Sequence, residues 1–341
     1  MVKQNGKNKI SIKKIAELSG VSPATVSRVI NNNGRFSEQT RQRVLHVIKE
    51  NNYGMNYIAK SLRMKKSYTV GILVPDISNA FFSSIVREIE KYLFMKGYSV
   101  IICNTDRDEA KELAYLRTLE GKMIDGLFII SGNQEFDPSI IQTDAPVVCI
   151  DRKPKSANNV VFISSDHYRG GFLATESLIK HGCKNVGIVI SRKNLYSSRE
   201  RFRGFKDALA KYNIPWDDRH VVQVNDRKKK PAEAYAHVLD QFQSGVSFDG
   251  FFAINDRLAF GIIKACQKLG MQIPDDVKVI GFDNDPLCIY STPQLSSVKQ
   301  NIHQLTHLSC NILLKLMRSG KEAVSEHCYL IPVSIVERET L

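Results

Sequence analysis

Apolar side chains recur at helical spacing in three short segments near the start of the chain, which predicts three amphipathic helices. The segments are "SIKKIAEL", "PATVSRVI" and "SEQTRQRVLHVIKENNY". Gly20 stands where a tight turn needs a flexible backbone, and Ser22 with Pro23 is a typical start for the second helix. The residues predicted to face inward are Ile12, Ile15, Ala16 and Leu18, then Val26, Val29 and Ile30, then Val44, Leu45 and Ile48.

Beyond residue 67 the pattern changes to short apolar runs that alternate with amphipathic helices. Alternating strands and helices predict parallel sheets with helices on both faces, and two successive series predict two similar lobes. The first series has the strands "YTVGILVP", "YSVIIC", "IDGLFII" and "PVVCI", with helices at 81–97 and 109–122. The second, which begins near Ser165, has the strands "NVGIVI", "HVVQV", "FDGFFAI" and "VKVIGF", with helices at 168–181, 199–212, 231–243 and 256–269, and a helix follows at 301–319.

The charge is unevenly distributed between the two regions. Residues 1–66 hold 14 Lys and Arg against three Asp and Glu, a net charge of +11, whereas the whole chain carries +13. A compact, strongly basic module on an almost neutral remainder is the electrostatic signature of a protein that binds a polyanion. The apolar stripes argue against the alternative, a solvated basic tail.

Two short helices joined by a turn and supported by a third predict a helix-turn-helix DNA-binding domain. The outer face of the second helix is small and polar, so it can enter a major groove, where Arg28 can reach a base edge. The residues predicted on that face are Pro23, Ala24, Ser27, Arg28 and Asn31. A three-helix bundle with a solvated arginine is the alternative.

The stretch "ISIKKIAELSGVSPATVSRVINNNGRFSEQTRQRV" resembles the DNA-binding domain of the LacI/GalR bacterial repressors, and the similarity extends to "LIPVSIVERETL" at the end of the chain. The resemblance implies a homodimer on a palindromic operator and a small-molecule effector, a sugar or sugar derivative, in a periplasmic-binding-protein-like body. It also implies a DNA-binding set, which comprises Ser11, Ser22, Pro23, Ala24, Thr25, Ser27, Arg28, Asn31, Asn56, Ala59, Lys60 and Leu62.

The resemblance marks "YGMNYIAKSL" as a hinge, with Met55 where proline is usual. We expect this segment to become helical on the operator and to insert Leu62 between base pairs as a wedge. The alternative is a basic tether. The predicted organisation is a DNA-binding domain at 1–55, a hinge at 56–67, a first lobe at 68–164 plus 301–328, and a second lobe at 165–300 plus 329–341.

Polar residues that follow the predicted strands are candidates for the effector site, because ligands of open α/β sheets bind beyond the carboxyl ends of the strands. Asp151, Asn255, Asp256 and Asp283 follow strands, and Arg201 is predicted to open a helix. Asp256 is expected to cap the helix after it. Phe81 and Phe82 are predicted to open a helix of the first lobe. The predicted effector-binding set is Phe81, Phe82, Asp151, Arg201, Asn255, Asp283 and Gln300, and the resemblance implies all of these except Phe81.

Three alternatives stay open. The segment "NDRKKKPAEAY" is cationic and either forms a solvated loop or indicates an acidic effector, such as a sugar acid or sugar phosphate. A sugar-metabolising α/β enzyme fused to a DNA-binding domain is a second alternative, although no phosphate loop or GxSxG motif occurs. An exported solute-binding protein is the third, which the basic domain and the lack of a signal-peptide pattern oppose.

The remaining chemistry favours a cytoplasmic protein without a cofactor. The seven cysteines are scattered and fit neither a zinc pattern nor a CxxC pair, which is typical of reduced, packed thiols. His303 and His307 have the spacing of half a metal site but lack further ligands. No apolar run approaches the roughly 18 residues of a membrane span.

Overall fold

The computed structural model describes residues 10–51, 53, 66–132, 135–142, 144–156, 160–192, 195–224, 231–320 and 324–341. The chain divides into two compact units, Met1–Lys65 and Lys66–Leu341, called the head and the body below. The predictions for Asn56, Ala59, Lys60 and Leu62 in the hinge, and for the cationic segment 226–230, lie outside the described residues. No helix in the described part of the chain is long and apolar enough to cross a membrane.

The described part of the head contains three short helices, as the apolar pattern predicts. They are α1 (Ile12–Ser19), α2 (Pro23–Asn31) and α3 (Glu38–Glu50). A serine precedes each helix: Ser11, Ser22 and Ser37. Its hydroxyl caps the helix by accepting a hydrogen bond from the backbone N–H of the residue three positions further on. Gly20 has a φ of 64°, in the left-handed region that favours glycine, and ends α1. The serine caps therefore set the starts of the three helices, and Gly20 sets the end of α1.

The head core contains most of the predicted residues, but Leu18 and Leu45 are 47% and 44% exposed, and both predictions of burial are wrong. Residues advance about 100° around an α-helix at each step. Once Val44 and Val47 face the core, Leu45 points elsewhere, since it lies about 100° around the helix from Val44 and about 160° from Val47. In α1 the hydroxyl of Ser19 takes the inward position instead, where it donates to the carbonyl of Ile15 at 2.6 Å.

The first lobe of the body is built on a parallel sheet in the order β11-β5-β4-β3-β1-β2. Apolar side chains cover both faces of the sheet, as a fully parallel sheet requires. Its strands are β1 (Thr69–Val74), β2 (Ser99–Asn104), β3 (Gly126–Ile130), β4 (Val147–Ile150), β5 (Val160–Ser165) and β11 (Cys328–Ile331). Its helices are α4 (Ala80–Met95), α5 (Glu109–Gly121) and α10 (Ile302–Ser319).

The second lobe repeats this plan with the order β12-β10-β9-β8-β6-β7, in which only β12 runs antiparallel to its neighbour in the described sheet. Its strands are β6 (Val186–Ser191), β7 (Val221–Val224), β8 (Gly250–Ala253), β9 (Lys278–Phe282), β10 (Ser296–Gln300) and β12 (Val333–Val336). Its helices are α6 (His167–Lys180), α7 (Tyr196–Lys211), α8 (Pro231–Gln243) and α9 (Asp256–Lys268).

The described chain passes between the lobes at three places: from β5 to α6, from β10 to α10 and from β11 to β12. The predicted boundary between residues 328 and 329 is wrong, because it falls inside β11, which pairs with β5 of the first sheet from Cys328 to Ile331. The third crossing lies at Pro332. Strands β5, β10, β11 and β12 were not predicted as strands.

Helices α6 and α7 of the second lobe approach so closely that a side chain at the crossing has no room. A Cβ atom on Gly171 would lie 2.1 Å from the carbonyl oxygen of Arg201, and one on Gly204 would lie 2.2 Å from that of Tyr168. Both neighbours are backbone atoms, which cannot move aside alone. The two glycines therefore fix how α7 lies on α6.

Gly171→Ala is expected to lower the free energy of unfolding by about 1–3 kcal/mol, because the added methyl group must separate the helices. Urea unfolding of the full chain measures the change. Gly121→Ala is the matched control, since a Cβ at Gly121 meets nothing within 4 Å. An equal effect of the two substitutions would contradict the close crossing.

Candidate functional site

The exposed face of α2 carries the residues that the sequence predicts for DNA recognition. Pro23, Ala24 and Arg28 are exposed, and the aliphatic part of Arg28 lies against Gly34, where a Cβ would be 3.1 Å from its Cδ. An open groove follows this face and is lined by Ile12, Pro23, Ala24, Ser27, Arg28, Asn33 and Gly34. A helix with small side chains at its start and an extended cation beside them suits entry into a major groove.

Other residues of the predicted DNA-binding set hold the helix ends of the head. The Ser11 hydroxyl accepts the N–H of Lys14 at 3.3 Å, and the Ser22 hydroxyl accepts that of Thr25 at 3.1 Å. The amide of Asn31 donates to the carbonyl of Ser27 at 2.7 Å. Ser11, Ser22 and Asn31 thus have structural roles in addition to any contact with a nucleic acid.

In the body, Asp151 lies at the carboxyl end of β4, where its φ of 54° turns the carboxylate under the end of β5. Its Oδ1 accepts from the Ser164 hydroxyl at 2.8 Å and from the Ser165 N–H at 3.1 Å, and lies 2.9 Å from Nε2 of His167. Burial alone would raise the pKa of Asp151, but the His167 ring, the Ser164 hydroxyl and the Arg201 charge hold it below its ordinary value. This carboxylate is therefore ionised at neutral pH.

Arg201 supplies the positive charge of the site and is only 7% exposed. Its guanidinium lies over the Phe282 ring at 3.5 Å, donates to the carbonyl of Ile254, and has Nη2 3.7 Å from Oδ1 of Asp283. The prediction that Arg201 opens a helix is wrong: α7 begins at Tyr196, so Arg201 lies in its second turn. Placed there, it crosses the carboxyl ends of β8 and β9.

Asp283 and Gln300 form the next contact in the cluster. Asp283 follows β9 with a φ of 111°, a strained conformation for an aspartate. The Gln300 amide donates to its Oδ1 at 2.7 Å. Because the nitrogen faces the carboxylate, Oε1 of Gln300 faces the other way, and it is buried with no hydrogen-bond partner among the described residues. A buried acceptor in this position requires a donor from elsewhere.

The structure corrects the assignment of the cap at the start of α9. Asn255, not Asp256, is the N-cap, since its side-chain oxygen accepts the N–H of Leu258 at 3.0 Å. Asp256 is the first helical residue and is buried, where it accepts from the Ser297 hydroxyl and the Asp285 N–H, each at 2.6 Å. Burial and the nearby Asp283 raise the pKa of Asp256.

Phe81 and Phe82 begin α4 nearly as predicted, but both are buried in the core of the first lobe, with ring centroids 5.5 Å apart. The hydrogen bonds and ion pairs of the cluster join Asp151, Arg201, Asp283 and Gln300, and do not include the two phenylalanines. Two exposed ion pairs also span the lobes, Arg257 with Asp76 at 3.8 Å and Arg199 with Glu135 at 3.9 Å.

Sequence reasoning missed the residues at the end of β5. His167, 2% exposed, contacts both Asp151 and Arg201, and Ser164 and Ser165 bind Asp151. The Ser165 hydroxyl is buried with no hydrogen-bond partner among the described residues. The signal was present in "VVFISSDH": four apolar residues in a row predict a buried strand, and the polar residues after them belong at its carboxyl end.

The family models match both units of the chain. The model described as bacterial regulatory proteins, lacI family, matches residues 11–56, and that of the periplasmic binding protein-like domain matches residues 175–341. A ribose operon repressor of Halalkalibacterium halodurans is 34% identical over 333 residues, which cover 97% of this chain and 96% of the relative. The chain belongs to the LacI family of bacterial regulatory proteins.

Solved structures of the LacI family share the fold. The lac repressor dimer bound to operator and the anti-inducer ONPF has a TM-score of 0.86 at 24% identity, covering 98% of this chain and 99% of that one. A LacI family transcriptional regulator from Enterococcus faecium with bound ribose has a TM-score of 0.67 at 29% identity, covering 80% and 98%. The predictions of a helix-turn-helix head, a periplasmic-binding-protein-like body and a transcriptional regulator rather than an enzyme are confirmed.

Proposed function

We propose that this LacI-family member is a dimeric repressor of a carbohydrate operon, which binds a palindromic operator and is switched by a neutral sugar at the Asp151–Arg201–Asp283–Gln300 cluster. The buried, unpartnered Oε1 of Gln300 carries the proposal. A sugar hydroxyl can donate a hydrogen bond to that oxygen. Hydroxyls also donate to ionised Asp151 and Asp283. Because the proposed operator is DNA inside the bacterial cell, we place the protein in the cytoplasm.

The charge of the cluster supports a neutral effector over an acidic one. The buried guanidinium of Arg201 lies among the carboxyl groups of Asp151, Asp256 and Asp283. Arg201 already has Asp283 at 3.7 Å. An anionic ligand would have to displace one of these carboxylates or enter an already negative site. A polyhydroxylated neutral ligand meets acceptors on both lobes instead.

A pentose is the first candidate among neutral sugars. A relative with 34% identity is named a ribose operon repressor, and a structure with 29% identity holds ribose. Both support D-ribose as the compound to test first. Hexoses, disaccharides, sugar acids and sugar phosphates are the competing outcomes of the same screen.

The exposed apolar residues of the body support a homodimer. Phe94 and Met95 at the end of α4 are 73% and 66% exposed, and Ile102 on the edge strand β2 is 47% exposed. In the second lobe, Leu287, Ile289 and Tyr290 are also exposed around the 3₁₀ helix Pro286–Ile289. Apolar side chains of this size in groups mark surfaces that another chain covers. Two-fold symmetry would then match a palindromic operator.

A screen by thermal shift of the full chain tests the effector. D-ribose should raise the unfolding temperature more than D-gluconate or D-ribose 5-phosphate, because ligand binding stabilises the folded state by mass action.

Asp283→Ala should weaken sugar binding by about 1.5–3 kcal/mol, the cost of losing a charged acceptor. Asp240→Ala, at an exposed position of α8, is the control.

Calorimetry quantifies the affinities in this screen. A stronger effect of the anionic compounds would establish the acidic effector instead. Unchanged sugar affinity in Asp283→Ala would leave this aspartate as a turn residue only.

Arg28→Ala should weaken operator binding by about 1–3 kcal/mol and relax the base preference at one symmetric pair of positions. The reason is that arginine can hold a guanine through two hydrogen bonds, whereas Pro23 and Ala24 can contact only shape or a thymine methyl. Selection of binding sites from random DNA measures this. Arg43→Ala, on the exposed side of α3, removes the same charge and should lower affinity without altering preference. Uniform weakening by both would make Arg28 a phosphate contact.

Ile102→Arg should dissociate the dimer, because it places a charge in the proposed interface at the β2 edge of the first sheet. Leu330→Arg makes a matching change on β11, at the opposite edge of that sheet, where the leucine is 52% exposed. Sedimentation velocity of the two variants compares their dimer dissociation constants. A dimer that survives Ile102→Arg and is lost in Leu330→Arg would place the interface on the other edge.

A further inference from the structure

His167 forms a bridge between two residues of the proposed effector site. Its Nε2 lies 2.9 Å from Oδ1 of Asp151, and its Nδ1 lies 3.3 Å from Nε and 3.2 Å from Nη2 of Arg201. The ring is 2% exposed and packs beside Phe282 and Tyr196, with centroids 5.9 and 6.3 Å away. The ring therefore lies on a buried, continuous path of polar contacts from Asp151 to Arg201.

The partners of His167 determine its protonation state. A guanidinium has only donors, so Nδ1 must offer its lone pair to Arg201. An ionised carboxylate only accepts, so Nε2 must carry the proton that it donates to Asp151. His167 is therefore neutral, with the proton on Nε2. A second proton on Nδ1 would oppose an N–H to the N–H groups of Arg201 and would add a cation beside a cation.

His167 lies where the chain passes from the first lobe into the second. Asp151 follows β4 of the first lobe, whereas His167 is the first residue of α6, directly after the crossing from β5 into the second lobe. Arg201 belongs to α7, whose backbone is held against α6 at Gly171. The ring thus connects an acidic residue of one lobe to the buried cation of the other at a point where the lobes are joined.

We propose that neutral His167 is a positioning residue that holds Asp151 and Arg201 in register for the effector, and that protonation of its Nδ1 uncouples them. The proposal rests on the effector site proposed above. Both nitrogens of the buried ring are engaged by Asp151 and Arg201, so its influence on a sugar passes through these two partners. Acidification should then weaken the response to the effector.

The charges around the ring determine the direction of its titration. The ring is faced by Asp151 after β4, by Asp166 at the N-cap of α6, and by Tyr196 and Arg201 on α7. Asp283 lies beyond Arg201. Burial lowers the pKa of His167, Asp151 opposes this, and Arg201 adds to the lowering, so that it lies below the ordinary value of 6.5. The unfolded chain therefore takes up the proton first as the pH falls. The contribution of neutral His167 to the stability of the folded chain is therefore fully present above about pH 6.5, and it is lost as the pH falls toward the lowered pKa of His167 in the folded state.

Unfolding of the full chain between pH 5 and pH 8 tests the neutral bridge without any ligand. The comparison is between the wild type and His167→Gln, which keeps an amide donor for Asp151 but cannot take up a proton. We expect the wild type to be the more stable at pH 8 and its advantage to shrink as the pH falls. His327→Gln, at an exposed position just before β11, is the matched histidine control. Parallel curves for the wild type and His167→Gln would overturn the proposal.

Calorimetry with D-ribose tests the positioning role. At pH 7.5, His167→Gln should bind about tenfold more weakly than the wild type, the effect of one misplaced charged hydrogen bond. At pH 5.5 the wild type should lose affinity while the variant stays nearly constant, a change that a purely structural role does not produce. Equal affinities at both pH values would overturn the role. If D-ribose binds neither protein, the pentose assignment fails, and the unfolding experiment still decides whether the bridge exists.

Discussion

The body is organised around the need to stabilise one buried charge, the guanidinium of Arg201. A buried cation is tolerated only when aromatic, carbonyl and carboxylate groups replace the water that it loses. Phe282, the carbonyl of Ile254 and Asp283 come from the ends of β8 and β9, and His167 comes from the start of α6. Because these groups surround Arg201, the polar residues at the ends of several strands lie close together. A binding site for a polar ligand needs such a cluster.

The same arrangement supports the proposed switch between the lobes. Asp151 belongs to the first sheet and Arg201 to the second lobe, and the described chain connects the lobes only through three short crossings. A sugar whose hydroxyls contact both sides gains contacts in a closed body that it lacks in an open one, so its binding favours closure. The half-exposed ion pairs of Arg257 with Asp76 and Arg199 with Glu135 contribute little individually, because water and salt screen them.

Much of this could be predicted from sequence, and the failures have physical causes. The head was predictable because its caps and Gly20 act locally, while Leu18 and Leu45 were misassigned because the exact rotation of a short helix depends on its neighbours. Strands β11 and β12 are short and separated by Pro332 alone, so the passage between sheets has no local signal. Asp151, Arg201 and Asp283 were found from their places after strands and in a helix. His167 was missed because its role depends on two partners distant in sequence.

The distribution of charge limits how an effector can control the operator. The net charge of +11 in residues 1–66 accounts for most of the +13 of the chain, so the attraction to DNA belongs to the head and hinge and not to the body. A neutral sugar bound between the lobes adds no charge and lies in the part of the chain that contributes least to the field. In the proposed dimer its control over operator binding would therefore be geometric: closure would change the spacing of the two heads, and each head fits its half-site only at the matching distance. By linkage, an operator that favours one body conformation changes the affinity for sugar by the same factor.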